Sequence, residues 1–439
     1  MFKTLKDAFK VREIRNGILF TFFILIIVRL GSAIPVPGVR TEELGEFFAG
    51  KFGNASEMLD ALTGGSFSRM TIFALSVTPY ITSSIILQLL TIAIPALEEM
   101  QKDGDDGRKK ITAITRVISV ALAIIEGVGL SVGFGRSGYL EKYNFTSVLV
   151  IVITLTAGST FIMWLGERVT ERGVGNGISI ILLINIIARM PSDLKNLYNM
   201  FVKGKDVVHM ILAAAIIIGV IIVTTVLTIL LNDAERKIPV SYAQKIRGRR
   251  SMQMGAKNSY IPLKVNTGNV MPIIFASTLM SIPTIVTNLF SINVKSAVGN
   301  KILQGLNDNY WFNPDYPWAY IGLAIYILLV IFFAYFYTSI SFNPMEVANN
   351  LKKGGGFVPG IRPGKPTQDY LNNILNYIVF IGAFGLIIIA IIPIFFNGRF
   401  NANVSFGGTS LIIICGVIIE TIKQIESKMV VRNYSGFLS

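Results

Sequence analysis

Apolar side chains run through this chain in long unbroken stretches, and polar and charged residues are confined to the gaps between them. These runs show neither the two-residue alternation of a half-buried strand nor the narrow apolar stripe of a soluble helix. A bilayer core takes about 20 consecutive apolar residues per spanning helix. Ten stretches fit or approach that length: residues 17–34, 70–94, 111–134, 148–165, 177–188, 207–231, 271–289, 318–336, 374–396 and 409–425. The fifth is short as drawn and is expected to extend at both ends. The pattern predicts an all-α membrane protein with ten transmembrane helices. Composition agrees, with 52% hydrophobic and 15% charged residues, against about 25% charged in soluble domains.

Charge sets the orientation. Lys3, Lys6, Lys10, Arg12 and Arg15 precede the first span, and further Lys and Arg gather in every second gap, most densely between spans six and seven. Cytoplasmic loops carry this excess, so both termini are expected in the cytoplasm. The net charge of +14 then belongs to those loops and does not call for nucleic acid. Phe2, Leu5 and Phe9 share one helical face, so residues 1–16 are expected to form an amphipathic segment on the anionic inner leaflet. Residues 426–439 form a cytoplasmic tail.

The chemistry-bearing residues are few. One cysteine, Cys415, and one histidine, His209, provide no disulfide framework, no thiolate cluster and no nucleophile–base pair for an intramembrane protease. No metal, cofactor or catalytic residue is therefore expected. Gly133–Gly138 fits a dinucleotide fingerprint but follows a span and opens no βαβ unit. Gly364-Lys365 is followed by Pro366, where a phosphate loop needs Ser or Thr. A secondary transporter with five-plus-five inverted repeats would need coupling carboxylates at mid-depth, and only Glu126 and Glu420 lie within spans. Arg29 and Glu126 are read as structural charges that snorkel to a membrane face. Trp164, Trp311 and Trp318 are read as interface anchors.

Ten spans divide into halves at residues 17–206 and 207–425. An odd number per half gives the halves opposite topology, so repeats would be inverted, with the site at their interface. Residues 57–69, too short to span, suit either an outer-loop helix or a re-entrant piece. The loops 232–269 and 338–373 are too long for plain connectors. The first carries Arg249 and Arg250. The second contains residues 354–364, whose Gly and Pro fix a turn-rich, non-helical shape projecting Arg362. Both read as docking surfaces for an acidic cytoplasmic partner.

Several stretches together resemble the SecY family, the large subunit of the bacterial protein-conducting channel. They are Ile34-Pro35-Val36-Pro37-Gly38, Pro79-Tyr80-Ile81-Thr82-Ser83-Ser84-Ile85 with Gln88-Leu89-Leu90, Glu171 to Ser179, Pro262-Leu263-Lys264-Val265-Asn266, Phe342-Asn343-Pro344 through Arg362-Pro363-Gly364, and Phe406-Gly407-Gly408-Thr409-Ser410. The resemblance implies two inverted five-helix halves around an hourglass pore, with a constriction formed by Val77, Ile81, Ile178, Leu182, Ile274 and Ile413. The family usually has isoleucine at these places, so Val77 and Leu182 depart from the pattern while keeping its apolar character. Branched aliphatic side chains cannot hydrate an ion and seal by dewetting. By the same resemblance, Leu59, Leu62, Gly64, Gly65 and Ser66 belong to a short plug helix, and a lateral gate lies between spans two and three and spans seven and eight. Thr82, Ser83, Ser84 and Gln88 supply polar groups on one side of that gate; Ser277, Thr278 and Ser281 supply them on the other, where Ile282 faces Thr82. Implied partners are the SecE and SecG subunits, the SecA motor ATPase, a translating ribosome, signal peptides with unfolded preproteins, and membrane lipid.

Overall fold

The computed structural model describes residues 8–41, 43–44, 60, 62–203, 206–242, 259–289, 296–307, 310–400 and 408–435. Helices dominate: α1 Arg12–Gly31, α2 Thr78–Ala93, α3 Pro95–Lys102, α4 Gly104–Arg136, α5 Phe145–Arg172, α6 Gly177–Leu197, α7 Val207–Asp233, α8 Met271–Leu289, α9 Ala297–Leu306, α10 Tyr320–Ser341, α11 Pro344–Lys353, α12 Lys365–Phe400 and α13 Gly408–Ser435. Seven stretches, in α1, α4, α5, α6, α7, α10 and α12, are long and apolar enough to cross a membrane, and an eighth is the bent pair α2–α3. α8 offers only the shorter apolar stretch Met271–Thr284. α13 interrupts its apolar run with Glu420, Lys423, Glu426 and Lys428.

The helices pack as two groups, α1 with α5 and α6 beside the α2–α4–α5 cluster, and α7 with α12 and α13 beside the α8–α10–α12 cluster. The groups meet where α4 touches α8 and where α6 touches α13. One core cluster runs through both, joining Ile24, Ile162 and Ile181 to Phe275, Tyr326 and Ile412. α7 stands apart. Only Thr224 and Thr228 are buried along it, and each returns its hydroxyl to its own helix, to Val220 O and Thr224 O. Its other side chains are apolar nearly all round, which suits lipid contact.

Three expectations change. The second apolar stretch does not become helix until Thr78. Residues 70–77 form turns, with Met70 and Ser76 at positive φ of 41° and 49°, and Pro79 starts the helix where its missing N–H costs nothing. The fifth span extends only at its C-terminal end, to Leu197 and then a π-turn over Tyr198–Val202. Its start is fixed at Gly177 because Asn176 caps it, accepting from Ile178 and Ser179 N–H. The loop 338–373 is mostly helical. Asn343 caps α11 with Pro344 in its first turn, and residues 354–364 have the expected turn-rich form. The all-α reading gains a small sheet of order β2-β1-β3, with β1 Glu235–Tyr242, β2 Ser259–Lys264 and β3 Gly356–Phe357. Ile238 and Val240 are the buried positions of β1, and Ile238 joins a cluster with Leu263, Val358, Leu371 and Leu375.

The sheet pairs the two long loops with each other. β1 runs antiparallel to β2, with Ile238 opposite Ile261, and to β3, with Ser241 opposite Phe357. The ends of α5, α7 and α13 lie at this same face of the bundle: Lys423 Nζ reaches Asp233 at 2.8 Å, and Lys428 Nζ donates to Gly173 O at 3.2 Å.

Candidate functional site

Five of the six expected constriction residues line one cavity of about 460 Å³: Ile81, Ile178, Leu182, Ile274 and Ile413. The sixth, Val77, is fully buried in the core cluster that includes Leu182, Ile274 and Ile413. Val77 is the N-cap of α2, and the other five lie within the first two turns of α2, α6, α8 and α13. Four helices therefore begin around this cavity, and each contributes an aliphatic side chain from its opening turns. The rest of the lining is mixed, with Ile85, Val270, Met271, Phe275 and Val417 beside polar groups. Thr112, Arg116, Glu167, Thr170, Glu171 and Asn176 surround the side toward the sheet-bearing face, and Arg116 Nε pairs with Glu167 Oε1 at 2.6 Å. The result is a vestibule with polar groups on one side and branched hydrocarbon from four helices as its floor.

Close backbone approach makes room for this arrangement. A Cβ at Gly177 would stand 1.9 Å from Gly166 O, so only glycine lets the start of α6 press against α5. A Cβ at Gly158 would stand 1.9 Å from Ile72 O. There the turns before α2 lie directly on α5, and Ser159 Oγ donates to Ser76 O at 3.0 Å.

Beyond the aliphatic floor lies the segment from Asp60 to Ser68. Leu59 falls outside the described residues, as do 57, 58 and 61. Asp60 and Leu62 are helical, and the chain then turns through Gly64 and Gly65 at φ of 69° and 82°, a conformation open to glycine without strain. Asp60 organises the turn. Its carbonyl accepts from Gly65 N–H at 2.9 Å, and its Oδ1 accepts from Ser68 N–H at 2.9 Å. Ser66 is fully buried. The segment is tied to α6. Asn185 Nδ2 donates to Leu62 O and to Ser76 Oγ, each at 3.2 Å, and Arg189 pairs with Asp60. Neither Asn185 nor Arg189 stood out in the sequence, because each looks like an isolated polar residue at the end of an apolar run. Arg29 is half-buried. Its Nη1 has no hydrogen-bond partner among the described residues and abuts Gly64.

The expected seam between α2 and the second half carries one long-range polar bond, Tyr337 Oη to Gln88 Oε1 at 2.7 Å. Ser83 instead donates to Tyr80 O within α2, and Ser281 to Ser277 O within α8. These hydroxyls satisfy their own helices, so Gln88 is the member of the set that reaches across. Thr82 and Thr278 are half-buried and Ile282 is 44% exposed. Phe275 packs against Tyr337 with ring centroids 5.1 Å apart.

The remaining candidates separate clearly. Arg362 is exposed on the turn after β3, while Arg249 and Arg250 fall outside the described residues, as do residues 1–7. Trp311 is no interface anchor: it is 2% exposed, donates to Gly305 O at 2.7 Å and packs on Tyr326. Trp164 is half-exposed, with the Arg168 guanidinium 5.5 Å from its ring. Among the described residues, no group of three or more His, Cys, Asp or Glu could hold a metal.

Comparison with known proteins places this geometry. The SecY family model matches residues 71–422. The protein translocase subunit SecY of Thermotoga maritima is 40% identical, over 100% of this chain and 98% of its own length. That of Streptomyces lividans is 42% identical over 100% of both. A solved structure described as "The structure of a protein conducting channel" superposes with a TM-score of 0.65 at 18% identity, covering 97% of each chain. Sec61 in a canine ribosome-channel complex superposes with a TM-score of 0.63 at 18% identity and the same coverage. With a family model spanning most of its length and full-length relatives at this identity, the chain belongs to the SecY family.

Proposed function

We propose that this chain is the protein-conducting subunit of a bacterial translocase, passing unfolded preproteins across the plasma membrane and releasing apolar segments sideways into lipid. The observation that carries the reading is the vestibule floor. Aliphatic side chains from four helices, drawn from both halves of the chain, converge on one cavity. Aliphatic groups block ions yet offer a moving polypeptide no polar site to stick to. Val77, Ile81, Ile178, Leu182, Ile274 and Ile413 form the ring. Asp60–Ser68 is the plug, and the Gln88–Tyr337 seam is the lateral gate. α8 and α13 complete a set of ten spans in two inverted halves, and both termini face the cytoplasm.

The sheet-bearing face is then cytoplasmic, with Arg362, Arg249 and Arg250 as its docking tips. Arginine suits both the phosphates of ribosomal RNA and the carboxylates of a motor protein. The partners are SecE and SecG in the membrane, with SecA or a translating ribosome on the loops. The chain performs no bond chemistry, and the energy comes from its partners. Preprotein translocation into proteoliposomes with added motor ATPase tests the proposal. ATP-dependent protection of an unfolded preprotein from protease supports it. Uptake of small solutes without preprotein translocation would point to a transporter instead.

A further inference from the structure

α6 carries the ring and the plug anchors on one stripe. Ile178, Leu182, Asn185, Arg189 and Asp193 follow at the three- and four-residue spacing that stacks side chains along one helical face. From Leu182 to Arg189 the helix rises about 10 Å. The far end of the stripe holds three buried or nearly buried charges. Asp60 is 9% exposed at its side chain, Arg189 17% and Asp193 5%. Arg189 pairs with Asp60 through one guanidinium nitrogen, and its Nε lies 3.5 Å from Asp193 Oδ1.

We infer that Arg189 is a positioning residue for the plug, latching it shut through Asp60, with Asp193 as the counter-ion that keeps Arg189 paired when the plug leaves. The inference rests on the reading of Asp60–Ser68 as the plug. Asp60 performs two tasks with its two carboxylate oxygens, closing the turn on Ser68 N–H and gripping α6. Loss of either task unseats the other. A buried charge stripped of its partner is strongly unfavourable, and a latch built on two lone charges would be too costly to release. Here the release strands neither charge: Asp60 leaves with the plug for water, and Arg189 retains Asp193. The pair thus biases the closed state while leaving an exit.

The test uses the full chain with its co-purifying membrane subunits, comparing Arg189→Gln, Arg189→Lys, Asp60→Asn, the Asp60→Asn/Arg189→Gln double variant and a deletion of residues 60–68. Resting ion conductance in planar bilayers and export of a precursor with a defective signal are measured for each. Arg189→Gln and Asp60→Asn are expected to raise the open fraction about tenfold, an effect within the range of allosteric coupling. Arg189→Lys is expected to retain most of the seal, and the double variant to leak no more than either single one, since the two residues act as a pair. A leaking deletion beside a tight Arg189→Gln would overturn the latch and leave the plug reading intact. Additive effects in the double variant would also overturn the latch. A deletion that does not leak would overturn both. If Arg189→Gln fails to assemble, Arg189→Lys and Asp60→Asn decide: a tight Arg189→Lys beside a leaky Asp60→Asn supports the latch, and a tight Asp60→Asn overturns it.

Discussion

The hydroxyl of Tyr337 on α10 donates to the side-chain oxygen of Gln88 on α2 at 2.7 Å, a bond between residues of opposite halves. Tyr337 is largely buried and flanked by Phe275 and Phe336, and with Gln88 it lines the same cavity as the aliphatic floor. Tyr337→Phe keeps the ring packing and removes the bond alone. Interhelical bonds of this kind contribute about 0.6–1.7 kcal/mol. Export of a signal-defective precursor should therefore rise about 3- to 18-fold, with the melting temperature of the purified complex little changed. Unaltered export would remove this bond from the gate.

The aliphatic floor should fail as a seal when one of its members becomes polar. Ile81→Asn, Ile274→Asn or Ile413→Asn brings an amide that can hold water at the narrowest level, and resting ion conductance should rise. Ile81→Leu and Ile413→Leu, which keep the hydrocarbon, should stay tight. Equal bilayer conductance for the Asn and Leu variants would place the seal elsewhere.

The turn that bears Arg362 is exposed and should act in docking alone. Arg362→Glu is expected to abolish motor- or ribosome-dependent translocation while changing stability by less than about 0.5 kcal/mol. Binding assays with the purified motor, run beside thermal unfolding in detergent, separate the two effects. Loss of the folded complex would make the turn structural.

Trp311 should behave as core, not as a membrane anchor. Its burial, its bond to Gly305 O and its packing on Tyr326 mean that Trp311→Ala opens a large cavity at the junction of α9 and α10. A loss of about 3–5 kcal/mol is expected, read as a lower unfolding temperature. Trp164→Ala, at a half-exposed site, should cost far less.

These results mark where sequence was informative. Apolar run length found most of the helices, because a lipid-facing helix needs no partner to declare itself. It misplaced the start of α2, since Met70–Val77 is as apolar as a helix but is held in turns by Ser159 and Asn185 from distant parts of the chain. The five residues that line the cavity were named through the family resemblance, while Tyr337 and Arg189 were not singled out. Each acts through a partner more than a hundred residues away, and no local pattern encodes that. The small sheet was partly readable in the alternation around Ile238 and Val240, which the surrounding basic residues obscured. The cap of α11 was fully written in Asn343-Pro344.

The strand pairing of β1 with both β2 and β3 makes a handle of the sheet-bearing face. β1 continues from α7, β2 leads toward α8, and β3 lies between α11 and α12. Force applied to the hairpin is thereby shared among several helices of the second half at once, and none of them can be tugged separately. The first half has no strand in this sheet. A pull on the hairpin would load the second half through several helices, and the strain would reach its contacts with the first half, the bond of Tyr337 to Gln88 among them.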